Sequence, residues 1–104
     1  MAEVRWSTLA RRQFRSIIEY VAGDSISGAL TLRTRIDTAA SRLVGFPLLG
    51  RVVSDFQDAK VRELIVGHYR LVYRVDGHMI FIVTVVHGSR DLNSHLPDGP
   101  WDIE

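Results

Sequence analysis

The sequence contains no cysteine. Disulfides, thiolate zinc sites and a cysteine nucleophile are excluded together, and the composition fits a reducing compartment. It also lacks an excess of charge of either sign. Thirteen Lys and Arg against twelve Asp and Glu leave a formal net charge of +1, so overall charge does not draw the chain to nucleic acid. Long apolar runs are missing too. The longest, Met79 to Val86, includes Thr84 and is too short to cross a bilayer. The opening Met1-Ala2-Glu3-Val4-Arg5-Trp6 has none of the apolar character of a signal peptide. No membrane association and a cytoplasmic location are the expectations. The sequence has no glycine-rich phosphate loop and no serine elbow. Its four histidines are scattered without ligand spacing, so neither a metal site nor a cofactor is expected.

What is present fits one domain over residues 1–104, by the usual relation of length to domain number. At 46% hydrophobic residues the chain supports a core of modest size. Charge is distributed unevenly. Between residues 60 and 90 the basic residues are Lys60, Arg62, Arg70, Arg74 and Arg90, against Glu63 and Asp76. The last stretch, 91–104, is an acidic tail carrying Asp91, Asp98, Asp102 and Glu104 with no Lys or Arg. A basic segment before an acidic tail points to a local anion-binding face, although a solvated sheet surface leaves the same pattern.

Apolar spacing gives the elements. Glu3 to Trp6 reads as a short edge strand, and Ser7 as the N-cap of a helix directly after it. Ala10, Phe14, Ile17 and Val21 make one apolar stripe on that helix, which Gly23-Asp24-Ser25 breaks. Leu32, Ile36, Ala39 and Leu43 make a second stripe, ending at Gly45 because Pro47 disfavours helical geometry at Phe46. The short gap between the two predicts an antiparallel helical hairpin. Leu48 to Ala59 has no period and reads as a loop. Val61–Val66, Tyr69–Val75 and Met79–Val86 are rich in β-branched and aromatic residues and are separated by Gly67-His68 and Asp76-Gly77. Asp76-Gly77 suits a type I′ hairpin turn. The prediction is an α+β fold: one strand, an antiparallel helical hairpin, then a three-stranded antiparallel meander with the helices packed on one sheet face.

Two-residue turns at both hairpins sort the meander into two faces. Leu64, Val66, Tyr69, Leu71, Tyr73, Val75, Ile80, Ile82, Thr84 and Val86 share one, with Arg62 near a strand end. This face is expected under the helices. Val61, Glu63, Ile65, Arg70, Val72, Arg74, Met79, Phe81, Val83, Val85 and His87 share the other. Charge at a sheet centre is costly unless paired or open to water. An open face is therefore expected to display Arg70, with Arg74 solvated near the hairpin tip and His87 and Arg90 delivered from the end of the last strand. Glu63 lies diagonal to both strand arginines. An exposed Glu63–Arg70 pair would contribute under about 1 kcal/mol.

The motifs Val4-Arg5-Trp6-Ser7, Phe46-Pro47…Gly50-Arg51, Arg62-Glu63-Leu64, Tyr69-Arg70-Leu71-Val72-Tyr73-Arg74-Val75 and Val86-His87-Gly88-Ser89-Arg90 occur in one order around this helix and strand plan. In these the chain resembles toxins of the RelE/ParE superfamily, the poisons of type II toxin–antitoxin systems, also known as plasmid stabilisation proteins. The resemblance covers roughly Val4 to Leu92. It implies growth inhibition neutralised by a cognate antitoxin, whose partner-binding segment is expected to be acidic and to wrap the helical hairpin or cover the arginine face.

For the target the resemblance implies alternatives. RelE-like members are metal-independent ribonucleases that cut messenger RNA in the ribosomal A site. By that likeness Arg70 and Arg90 would hold phosphate oxygens and His87 would serve as acid or base. ParE-like members share the fold and block DNA gyrase without enzymatic chemistry. The sequence departs from RelE in that direction. Val61 and Glu63 stand near positions where RelE carries lysines, and no tyrosine follows Arg90, with only His95 or Trp101 in the tail to take its place. ParE-like inhibition is favoured, RelE-like cleavage is the alternative, and an inactive antitoxin-binding relic is the second alternative. For target or antitoxin binding the candidates are Arg62, Glu63, Arg70, Arg74 and Arg90. The oligomeric state is left open.

Overall fold

The computed structural model describes residues 2–92. Its elements are β1 (Glu3–Trp6), α1 (Thr8–Ala22), α2 (Ile26–Arg42), β2 (Arg51–Val52), β3 (Val61–Val66), β4 (Tyr69–Asp76) and β5 (Met79–His87). They build one sheet in the order β1-β5-β4-β3-β2. β1 lies parallel to β5, and the other pairs are antiparallel. The α+β class, the two helices and the meander are as predicted. The aperiodic stretch after α2 differs, because it contributes the two-residue edge strand β2.

Local chemistry fixes the helices. The Ser7 hydroxyl accepts from Ala10 N at 3.0 Å and donates to Val83 O at 3.0 Å, so one buried side chain caps α1 and ties it to β5. Ser25 caps α2 by accepting from Gly28 N. α2 ends at Arg42, short of Gly45, because Leu43 N bonds Ala40 O and Val44 N bonds Ser41 O. That pattern winds the last turn more tightly and ends the α-helix before Pro47 is reached. Ala10, Phe14 and Ile17 of α1 join Ile36 and Ala40 of α2 and its C-cap Leu43 against Leu71, Tyr73, Ile80, Ile82 and Val85 of the sheet. Trp6 extends this layer by stacking on Phe14 at 5.3 Å.

Three expectations are corrected. The β4–β5 turn is centred on Gly77-His78, since Asp76 pairs with Met79. Gly77 alone takes positive φ there, at 62°, the demand of a II′-like turn on its first central residue, where a type I′ turn demands it of both. This moves the pairing by an even number of residues and leaves the faces intact. A β-bulge then changes them. Tyr73 pairs with Ile82 but Val72 with Thr84, so Val83 is an extra residue in β5. Beyond it Val85 joins the helix-side cluster and Val86 the opposite one, the reverse of the expected assignment.

The far face is also not open. Val53, Phe56 and Leu92 close over Val61, Val72, Phe81, Val83 and Val86 in a second apolar cluster. The connection between β2 and β3 is held there by Val53 N to Val61 O at 3.0 Å and Val61 N to Asp58 O at 3.0 Å. At the other end of this connection, Tyr73 donates its hydroxyl to Pro47 O and accepts from Gly50 N, both at 2.8 Å. A Cβ on Gly50 would lie 2.6 Å from Glu63 O and 2.8 Å from the Tyr73 hydroxyl, so only glycine fits.

Candidate functional site

Glu63 on β3 faces Val72 on β4, which leaves Arg70 as its diagonal neighbour. The two meet as a fork. Arg70 Nε lies 2.6 Å from Glu63 Oε1 and Nη2 lies 3.1 Å from Oε2. Asp55 Oδ1 stands 3.7 Å from the same guanidinium, and Arg51 Nε stands 3.5 Å from Glu63 Oε2. Glu63 is 4% and the Arg70 side chain 13% exposed, so the middle of this chain of alternating charges is poorly hydrated while Arg51 at its end stands in water. The hydrogen bond that Arg70 donates to Glu63 is the main reason it holds its proton more tightly than an ordinary arginine, with burial opposing it. A phosphate approaching Arg70 meets a guanidinium already engaged through Nε and Nη2, with two carboxylates beside it.

The other strand arginines are also engaged. Arg62 donates from Nε to Ala59 O and from Nη1 to Gly50 O, both at 3.0 Å, holding the connection around β2 in place. Arg74 is not the solvated residue its position near the hairpin tip suggested. It is 9% exposed, with its guanidinium carbon 4.6 Å from the centre of the Phe81 ring.

The bulge sends the end of β5 elsewhere. His87 pairs with Tyr69 and meets its ring edgewise at 5.7 Å, while His68 lies parallel to the imidazole at 6.1 Å. His87 Nδ1 is 2.8 Å from Ser89 Oγ and accepts from Ser89 N at 3.3 Å. His87 and Arg90 border a cleft of about 560 Å³ together with Arg12, Gln13, Ile17 and Tyr69. Arg70 lines a different depression, with Arg51, Asp55, Glu63 and Gly88. The trio expected to act together is thus divided. His87 and Arg90 share a cleft that Arg70 does not line. His95 and Trp101, the proposed stand-ins for a tyrosine, lie outside the described residues.

Sequence reasoning missed Arg51 and Asp55, which sit in the aperiodic connection, and the α1 wall of the cleft. For that wall a signal existed. Arg11, Arg12 and Arg15 crowd the N-terminal half of α1, whose first turn holds no acidic residue, against the preference of a helix dipole.

Comparison with known proteins agrees with the fold and the motifs. The family model described as the ParE toxin of the type II toxin–antitoxin system parDE matches residues 4–92. Toxin RelE2 of Caulobacter vibrioides is 32% identical over 91 residues, covering 86% of this chain and 99% of that protein. The chromosomal ParDE toxin–antitoxin system from P. aeruginosa includes a chain of like fold. It matches with a TM-score of 0.68 and 21% identity over 84% of this chain and 96% of that one. Among the described residues no helix is long and apolar enough to cross a membrane. The chain belongs to the ParE toxin family, the toxin half of a type II toxin–antitoxin pair.

Proposed function

We propose that this toxin arrests growth by binding DNA gyrase as a protein ligand, without cutting RNA, and that its antitoxin relieves the arrest. The observation that carries this proposal is the closed fork between Arg70 and Glu63. Metal-free cleavage of RNA through its 2′-hydroxyl needs a base for that hydroxyl, cations for the developing phosphorane charge and an acid for the leaving oxygen. The strand arginine suited to the second task is neutralised by Glu63 and flanked by Asp55. His87, the candidate acid or base, lines a different cleft. The ribonuclease alternative retains one supporting observation, the shared cleft of His87 and Arg90.

Two assays on the purified chain separate the alternatives. Supercoiling by gyrase should be inhibited, or cleaved DNA trapped, as toxin is titrated in. Toeprinting on translating ribosomes should show no A-site cuts. Full gyrase activity at large toxin excess, together with A-site cuts that vanish in Arg90→Ala, would replace the gyrase proposal with the ribonuclease.

A further inference from the structure

We propose that the outer edge of β1 is an interface between two copies of this chain, pairing antiparallel with β1 of the second copy around a two-fold axis at Val4. Hydrogen bonding leaves this edge available. Glu3 N donates to His78 O and Ser7 N to Ile82 O across the parallel pair with β5. In a parallel pair, alternate residues turn both backbone groups toward the same neighbour. Val4 and Trp6 therefore turn theirs away from β5, toward a side where no described strand lies. Among the described residues nothing accepts from either N–H.

The two edges of the sheet differ in their protection. β2 is two residues long, and its Arg51 is drawn to Glu63. A strand so short offers little to pair with. β1 has four residues, no proline, an unbroken register on β5 and no single sign of charge. Such an edge accepts another strand.

Charge selects the second copy as that strand. Val4 and Trp6 pack on the helix side, so Glu3 and Arg5 share the other face, where they form an exposed pair at 3.2 Å. Outward backbone groups must meet outward backbone groups, which leaves three close registers for two copies of β1. One sets Glu3 against Glu3 and another sets Arg5 against Arg5, so like charges meet. The third, centred on Val4, sets Glu3 of each copy against Arg5 of the other. Together with the pair inside each chain, this makes a square of four alternating charges. A strand from another protein has no cause to repeat that alternation, whereas a second copy carries it by identity.

The apolar side fits the same register. Ala2 of each copy lies opposite Trp6 of the other, small against large. Beside Ala2 runs a groove of about 500 Å³ walled by Val4, Ala40 and Val44, which gives the second copy's indole room. The two five-stranded sheets join into one, with the helices of both copies on the same side. The surface is complementary to itself, as a two-fold interface must be.

Sedimentation equilibrium of the purified full chain tests this. Wild type should be a dimer that dissociates on dilution. Glu3→Arg makes all four charges positive and Arg5→Glu makes all four negative. Each variant alone should raise the dimer dissociation constant about thirtyfold. An equimolar mixture sets a positive strand against a negative one and should recover wild-type association. Both positions are exposed, and a melt checks that each variant folds. If one does not, amide exchange in wild type replaces it. The Val4 and Trp6 N–H groups should exchange fast in dilute protein and slowly in concentrated protein. A wild-type chain that stays monomeric at its highest soluble concentration overturns the proposal, including the case in which this edge serves another protein's strand. A dimer that survives in both variants, or a mixture that associates no better than either alone, moves the contact elsewhere and overturns it too. So does exchange at Val4 and Trp6 that ignores concentration.

Discussion

Glu63, 4% exposed, faces a guanidinium whose side chain is 13% exposed. Removing either charge alone leaves the other poorly hydrated with one longer ion pair, Arg51 for Glu63 or Asp55 for Arg70, while removing both leaves a site that apolar side chains can fill. Glu63→Ala should therefore cost about 3–5 kcal/mol of stability, and Glu63→Leu with Arg70→Leu should recover most of that loss in urea denaturation. A double variant as unstable as the sum of its two leucine singles would show that the pair is not coupled. A folded double variant should still arrest growth, and loss of toxicity there would return Arg70 to a direct role at the target. The contact itself was legible in the sequence. The two-residue turn at Gly67-His68 fixes the β3–β4 register, and that register makes Glu63 and Arg70 diagonal neighbours. Its closure was not, because Asp55 and Arg51 lie in a stretch without period, and nothing in such a stretch tells which face of the sheet it crosses.

Helix α1 carries Arg11, Arg12 and Arg15 before its first carboxylate, Glu19. Arg11 and Arg15 are four residues apart and repel each other, and Arg11, in the first turn, also opposes the dipole at the N-terminus. Arg11→Glu removes the repulsion, places a carboxylate where the dipole favours one, and sets it four residues before an arginine in the favourable order. The substitution should stabilise the protein by about 0.5–1 kcal/mol, seen as a rise in melting temperature at low salt that shrinks as salt is added. A fall in melting temperature would mean that Arg11 holds a structural contact. The helices were the more legible elements, because their solvent faces keep the polar positions that make a period visible. β5 was less so. From Ile80 to Val86 every residue but Phe81 is buried, since both faces of the strand are covered. A strand apolar on both sides shows no alternation, so nothing marks the extra residue at Val83 that carries His87 away from Arg70.

Over the whole molecule the order of periods, helical and then two-residue, was enough to give the α+β class. What it left out was the second cover on the sheet, made by Val53, Phe56 and Leu92. That cover begins at a link held by one hydroxyl. Tyr73, fully buried in β4, grips Pro47 and Gly50 in the connection from α2 to β2. Burial raises the pKa of this phenol, with the hydrogen bond from Gly50 and the charge of Arg62 pulling the other way. A raised folded value means that the native state favours the protonated form. The stability this contributes is complete below the unfolded tyrosine value of about 10 and is lost as pH climbs through the higher folded one. Tyr73→Phe should cost about 1–3 kcal/mol at pH 7, because it leaves the buried Gly50 N–H without its acceptor. The same variant should lose less stability than wild type between neutral pH and the alkaline range, since it has no buried phenol to ionise. Urea midpoints for both proteins, measured on either side of pH 10, give the comparison. Equal alkaline losses would move the pH sensitivity to another group and leave Tyr73 with its hydrogen bonds alone.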